Sequence, residues 1–258
     1  MKNQEKEILD VAFLAGNILL ESGAEIFRVE ETVERIARAY GIEEYHSFVL
    51  TNGIFATYAN AQGEIFAKVK NIPVSNARLN KVAAVNQLSR EIERHKYPVE
   101  EVKKRLIAIR QMEGKKKLTQ IIASGLGAGC FCYLFGGTFG DAFSAFLTGM
   151  VLYCYVLYVS CYQSKIIANM SGAALVAVVS ILLFQMFPQL HLSNVIIGAI
   201  MPLLPGVTFT NGIRDIADGD YLSGTVRLLD ALLVAVCIAA GVGAVIIAYH
   251  NWLGGIML

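Results

Sequence analysis

Pro202-Leu203-Leu204-Pro205-Gly206-Val207-Thr208-Phe209-Thr210-Asn211-Gly212-Ile213-Arg214-Asp215 closes an apolar run that begins near Val195. Two prolines and a glycine fall within five residues. Each proline removes a backbone donor and crowds the turn before it, so a regular helix should kink or break here. In hydrocarbon, freed backbone groups are tolerated only where protein or a water-lined cavity receives them. Two threonines, an asparagine and an Arg-Asp pair follow at once. A broken helix with polar groups at the break is a pattern from which membrane proteins build substrate sites. A kinked helix that simply ends in a polar loop reads the same stretch equally well.

The composition around this stretch sets the class. The chain has 258 residues, 55% of them hydrophobic, and a mean hydropathy of +0.52. That is too apolar for an ordinary soluble domain and points to a membrane protein. The net charge of +1 hides an asymmetry: 19 of the 22 Lys and Arg lie at or before residue 117. The rest are Lys165, Arg214 and Arg227, and the acidic residues beyond 117 are Asp141, Asp215, Asp218, Asp220 and Asp230. A charged part, 1–117, is therefore joined to an apolar part, 118–258. All five cysteines fall in the apolar part without metal-ligand spacing; they read as small buried hydrophobes, with neither a metal nor a disulfide framework expected. The first residues, Met1-Lys2-Asn3-Gln4-Glu5-Lys6-Glu7, are charged and show no signal-peptide core.

In the charged part, Ile8, Val11, Ala12, Ala15, Ile18 and Leu19 form one stripe of an amphipathic helix. Ser22 with Glu25 three residues later reads as a capping box opening a second helix, whose stripe runs from Ile26 to Tyr40. Gly41 suits the left-handed residue after its end. Residues 47–51, 54–58 and 64–70 read as strands, with a turn over Asn60–Gly63 and a second turn or a bulge at Asn52-Gly53. Ser75 caps a helix to about Arg94 with Leu79, Val82, Val85, Leu88 and Ile92 inward, and Pro98 opens a last helix to about Met112. This is a small α+β domain with room for its own core. It contains no glycine-rich phosphate loop, and His46 and His95 read as surface residues.

Beyond Gly114-Lys115-Lys116-Lys117, five apolar spans run over about 118–136, 139–162, 167–187, 193–212 and 223–249, each near the ~20 residues that cross a bilayer. Lys115–Lys117, Lys165 and Arg214 lie at one side; the loops around 137–141 and 188–193 contain no Lys or Arg. The positive-inside rule places the N-terminal domain in the cytoplasm and the C-terminus outside. The fold class is thus an α-helical polytopic membrane protein with five transmembrane helices and an N-terminal cytoplasmic α+β domain. Gly125-Leu126-Gly127-Ala128-Gly129 follows no strand and lies in a span, so it is no nucleotide loop; Gly125 with Gly129, and Ala240 with Ala244, are small-residue pairs for close helix packing. Ionisable groups at membrane depth are functional candidates. Asp141 is either a proton carrier or a solvated helix N-cap. Asp230 is either a proton carrier or the partner of Arg227, one turn before it. Arg214 is a topological marker or, beside Thr208, Thr210 and Asn211, a receiver for a carboxylate.

The charged part offers Glu21-Ser22-Gly23-Ala24-Glu25-Ile26-Phe27-Arg28-Val29-Glu30-Glu31, a helix break followed by a charged helix start in which Arg28 can pair with Glu25 or Glu31. No histidine is near to activate Ser22, so hydrolase chemistry is not expected. Ser22-Gly23-Ala24-Glu25-x-x-Arg28-Val29-Glu30 and Pro205-Gly206-x-Thr208-x-Thr210-Asn211-Gly212-Ile213-Arg214-Asp215, followed by Asp218-Gly219-Asp220 and Ser223-Gly224, resemble the threonine/serine exporter family. The resemblance spans about 8–249. It implies an inner-membrane exporter of small polar metabolites, either threonine and serine or a C4 dicarboxylate such as succinate. It also implies a longer subunit that works with a small polytopic membrane partner, since five spans would be completed by a second chain.

Together these readings define a secondary exporter subunit in the cell membrane, in contact with the lipid bilayer and a small-molecule substrate. Pro205, Gly206, Thr208, Thr210, Asn211, Arg214 and Asp215 are its substrate or gating residues. Asp141 and Asp230 are candidates for proton coupling, and Ser22, Gly23, Glu25, Arg28 and Glu30 form a cytoplasmic motif. Neither a cofactor nor a nucleic-acid partner is expected, and no ATP-binding signature is present, so an ion or proton gradient drives the cycle. Two competing readings stay open: a membrane-anchored enzyme or sensor whose cytoplasmic domain does the work, and a homo-oligomeric channel that needs no partner.

Overall fold

A computed structural model describes residues 2–42, 45–59, 65–72 and 77–253. Contacts divide the chain into two compact units, Met1–Glu113 with Val207–Leu229, and Gly114–Gly206 with Asp230–Leu258. The segment after the Pro-Gly break therefore belongs to the first unit. A single boundary near residue 117 does not describe the division, because the start of the last helix packs with the N-terminal residues.

The first unit opens with α1 (Lys2–Glu21) and α2 (Ile26–Ala39). Their apolar stripes meet, burying Val11, Ile18 and Leu19 against Ile26, Val29 and Val33. The link between them differs from the capping box read from sequence. The helix-terminating residue is Gly23, at φ +74°, a conformation that costs glycine little. The Ala24 N–H donates back to the Leu19 carbonyl at 3.1 Å, as in a helix C-cap. Consequently α2 starts at Ile26, with Glu25 rather than Ser22 as its N-cap and no capping side chain of its own.

Three antiparallel strands follow in the order β1 (Tyr45–Leu50), β2 (Gly53–Ala59) and β3 (Ile65–Asn71). Leu50 pairs with Gly53, so Thr51-Asn52 is a two-residue hairpin turn rather than a bulge. Alternation puts Tyr45, Val49, Ile54, Ala56 and Tyr58 in the core, while Phe48 and Phe55 are exposed. The expected turn at Asn60–Gly63 and the cap at Ser75 lie outside the described residues. α3 (Leu79–Arg94) buries Val85, Leu88 and Ile92. Leu79, expected inward, is 64% exposed because it is the first residue of the helix, ahead of the stripe. α4 (Val99–Arg110) completes the core with Val102, Leu106 and Ile109.

The second unit begins with α5 (Lys117–Leu134) and α6 (Phe139–Tyr158). They pack at glycine contacts: a Cβ on Gly125 would lie 2.8 Å from the Phe146 carbonyl, and one on Gly129 2.9 Å from that of Ala142. α7 (Lys165–Met186) and α8 (Leu192–Ile200) follow. A 3-10 turn, Met201–Leu203, leads into extended backbone at Leu204 (φ −65°, ψ 133°). α9 (Gly206–Ala217) then starts afresh. The last helix, α10 (Tyr221–Leu253), has 33 residues. Its close contact with α7 is made by Gly241, whose added Cβ would stand 2.1 Å from the Met170 carbonyl. Ala240 and Ala244, expected to pack, are exposed instead.

Among the described residues, three helices are long and apolar enough to cross a membrane: Phe139–Tyr158, Lys165–Met186 and Tyr221–Asn251. Leu192–Leu203 with Gly206–Ala217, bent by 62°, makes a fourth if the pair is one span. Only 28–33% of each of the three is buried. The outward residues are large and apolar, among them Phe143, Leu182, Leu232 and Val236. That much exposed apolar surface is matched to lipid rather than to water.

Candidate functional site

The turn at Ser22–Glu25 leaves backbone groups that neither helix can satisfy internally. Side chains from far along the chain satisfy them. Asn211 Nδ2 donates to the Gly23 carbonyl at 3.1 Å. Arg227 Nη2 donates to the Ala24 carbonyl at 2.9 Å. The Ile26 N–H donates to Asp215 Oδ1 at 3.3 Å across a separation of 189 residues. Asp215 thus supplies the cap that Glu25 does not make, and its negative charge stands at the positive end of α2.

Asp215 and Arg227 are themselves an ion pair, Oδ2 to Nη1 at 3.1 Å, with side chains only 1% and 7% exposed. Neither of those two atoms has an aligned hydrogen bond among the described residues. The pairing follows from the topology. Asp218-Gly219-Asp220 is a three-residue link, with Gly219 at φ +95°, so α10 returns along α9. Gly224 permits the approach: a Cβ there would lie 2.7 Å from the Gly212 carbonyl. Thr51 Oγ1 donates to the Ser223 carbonyl at 3.3 Å and holds the same crossing to the β1–β2 turn.

At the margin of this joint, Glu25 bonds the Arg214 guanidinium through one carboxylate oxygen and faces Arg28 Nε at 3.4 Å through the other. Arg214 is 51% exposed and Glu25 is 17% exposed. Glu30 accepts the Val49 N–H at 2.9 Å, fixing β1 to α2. Burial pushes the Glu30 carboxyl above its usual range, against the Val49 hydrogen bond and with help from the nearby Asp220 and Glu34 charges. Ser22 is buried, and its carbonyl accepts the Arg78 N–H at 2.9 Å. Asn211, Arg214 and Asp215 of the second motif therefore meet the Gly23–Ile26 stretch of the first in one cluster of the first unit. On α9, Thr208 is half-buried and Thr210 exposed, while Pro205 and Gly206 stand at the break itself.

The other two candidates lie in the second unit. Asp141 is not a solvated N-cap. It is fully buried at the third position of α6, in a reciprocal capping box with Thr138. It also accepts the His191 N–H at 2.7 Å and lies 3.0 Å from His191 Nδ1, so it joins the starts of α6 and α8. Asp230 does not pair with Arg227, its neighbour one turn away. Lys165 Nζ lies 2.6 Å from both of its carboxylate oxygens. Sequence reasoning thus overlooked Lys165, His191 and the Asp215–Arg227 partnership. The short link at 218–220 was the available signal, since it forces residues on either side of it together. Among the described residues, no group of His, Cys, Asp and Glu could hold a metal ion.

Apolar helices with outward hydrophobic faces define a helical membrane protein. The family described as "Putative threonine/serine exporter" matches residues 10–249, and the chain belongs to it. The chain is 23% identical over 253 residues to the probable succinate transporter subunit YjjP of Escherichia coli K12, covering 96% of this chain and 98% of that one. The Klebsiella aerogenes protein of the same name is 22% identical, covering 97% and 98%. A threonine/serine exporter from Corynebacterium glutamicum is 22% identical over 93% of this chain, which spans 51% of that protein's length. No solved structure matches the chain. The family and these relatives are transporters, so the chain is a membrane transport protein and not an enzyme.

Proposed function

We propose that the chain is the longer subunit of a two-component secondary exporter that moves a small carboxylate-bearing metabolite out of the cytoplasm. Threonine, serine and C4 dicarboxylates such as succinate are the candidates. Two comparisons support the two-component form: relatives of equal length are named as subunits, and the threonine/serine exporter is about twice as long. In this reading α5 is the first of five spans, α8 with α9 forms the broken fourth, and a small polytopic membrane protein supplies the missing half. The Lys and Arg distribution supports residues 1–113 and Arg214 on the cytoplasmic side and the C-terminus outside.

One observation carries the reading: the Arg214 guanidinium, at the end of the broken segment, is half-exposed and held by a carboxylate of the chain itself. Arginine binds carboxylates through a planar fork of donors, and an exposed pair of this kind is weak enough to exchange. Glu25 thus occupies the place of a substrate carboxylate, and substrate loading displaces it. Thr208, Thr210 and Asn211 precede Arg214 on α9 and offer hydroxyl and amide groups to the rest of the substrate. Pro205 and Gly206 allow the segment to move as a hinge. Asp230, ion-paired to Lys165 and partly exposed, and Asp141, buried among hydrogen bonds at the starts of α6 and α8, are the candidates for proton coupling.

Efflux of labelled substrate from cells tests the site. Arg214→Ala should abolish export while the protein stays in the membrane at normal abundance. Glu25→Gln should lower the half-saturating substrate concentration, because the internal competitor loses its charge. Normal export by Arg214→Ala would remove Arg214 from the substrate path.

A further inference from the structure

A cleft between α1 and the inner face of the sheet has no part in the export reading. It encloses about 450 Å³, within the range of small-molecule pockets, roughly 300–1,000 Å³. Its walls are largely apolar, with Leu9 and Phe13 from α1, Ala56 from β2 and Phe66 from β3. The Tyr58 and Phe66 rings stack with centroids 6.1 Å apart and an interplanar angle of 20°. Four charged side chains also line it, two of each sign: Glu5, Asp10, Lys6 and Lys68. Lys68 is paired with Asp10 and lies 4.9 Å from the centre of the Phe13 ring. The Tyr58 hydroxyl donates to Glu5 at 2.6 Å. Tyr45 also lines the cleft and is 6% exposed.

We propose that this cleft is a binding site for a zwitterion with a large apolar body, an amino acid of the leucine or phenylalanine kind. The apolar walls and the stacked rings receive the side chain. The mixed charges receive the two ends, the ammonium at Asp10 and Glu5 and the carboxylate at Lys68 and Lys6. A simple anion or cation would meet like charge as well as opposite charge there, whereas a zwitterion matches both. Threonine, serine and succinate carry too little apolar surface to gain from these walls, so the site is separate from the export path and suits an effector that reports on cytoplasmic amino-acid supply.

Calorimetric titration of the full chain in lipid nanodiscs, with empty nanodiscs as blank, tests the proposal using L-leucine and L-phenylalanine as probes. Saturable binding is expected for at least one of them. 3-Phenylpropionate and phenethylamine, each lacking one charge, should bind at least about tenfold more weakly than L-phenylalanine, as expected for loss of a charge-assisted hydrogen bond. Ala56→Phe should fill the cleft and abolish binding. Lys68→Met, at a half-exposed position, should weaken binding about tenfold without unfolding the protein, and it decides the matter if Ala56→Phe misfolds. Absence of saturable binding by both amino acids, or unchanged affinity in Lys68→Met, would overturn the site. Equal affinity for 3-phenylpropionate would overturn the zwitterion assignment.

Discussion

Asp215 and Arg227 sit where a charge is costly, and each makes the other tolerable. Removing one partner from a buried pair leaves an uncompensated charge, typically a loss of about 3–5 kcal/mol. Arg227→Met and Asp215→Leu should therefore each lower the unfolding temperature of the purified protein sharply. The double variant should lose clearly less than the sum of the two, and strict additivity would mean that the pair is not coupled. Glu30 gives a pH signature. Its folded-state pKa is raised above the ordinary 4.5, so its contribution to stability is fully present below pH 4.5 and is lost as the pH rises through the folded value. Glu30→Gln keeps an acceptor for the Val49 N–H and removes the ionisation, so thermal unfolding of that variant should vary less with pH above 4.5 than that of the native chain. At this scale the sequence showed which residues were unusual but not whom they met. Asp230 and Arg227 are one turn apart in the sequence, yet Arg227 meets Asp215 because α10 returns along α9, and Asp230 meets Lys165 at the start of α7.

Elements were more legible where periodicity was strong. The stripes of α1 and α2 and the alternation of the first two strands follow from spacing, because burial on one face imposes it. Boundaries were less so: Ser22 and Glu25 have capping-box spacing, yet Gly23 takes the left-handed conformation and delays α2. Span five has small residues at both Ala240 and Gly241, and spacing alone does not say which faces Met170. The break is the element whose sequence reading is most direct. Replacing both Pro202 and Pro205 by alanine restores two backbone donors and removes two ring clashes, each of which costs a helix interior about 3 kcal/mol or more. That variant should insert normally and lose most of its export, as measured by efflux per molecule in the membrane. Export at the native rate would mean that the break is only a packing feature.

At the scale of the whole molecule, the charge asymmetry and a membrane class with several apolar helices were evident from composition. The allocation of Val207–Leu229 to the first unit was not, because it depends on polar contacts 189 residues apart in the chain. In that arrangement the turn between α1 and α2 holds the helix that follows the break. The most direct test is efflux of labelled threonine, serine and succinate from cells carrying this chain, with and without a small polytopic membrane partner. The account predicts that at least one of the three leaves faster than from control cells when both chains are present, with little gain from either chain alone. Efflux no faster than control for all three with both chains present would contradict it.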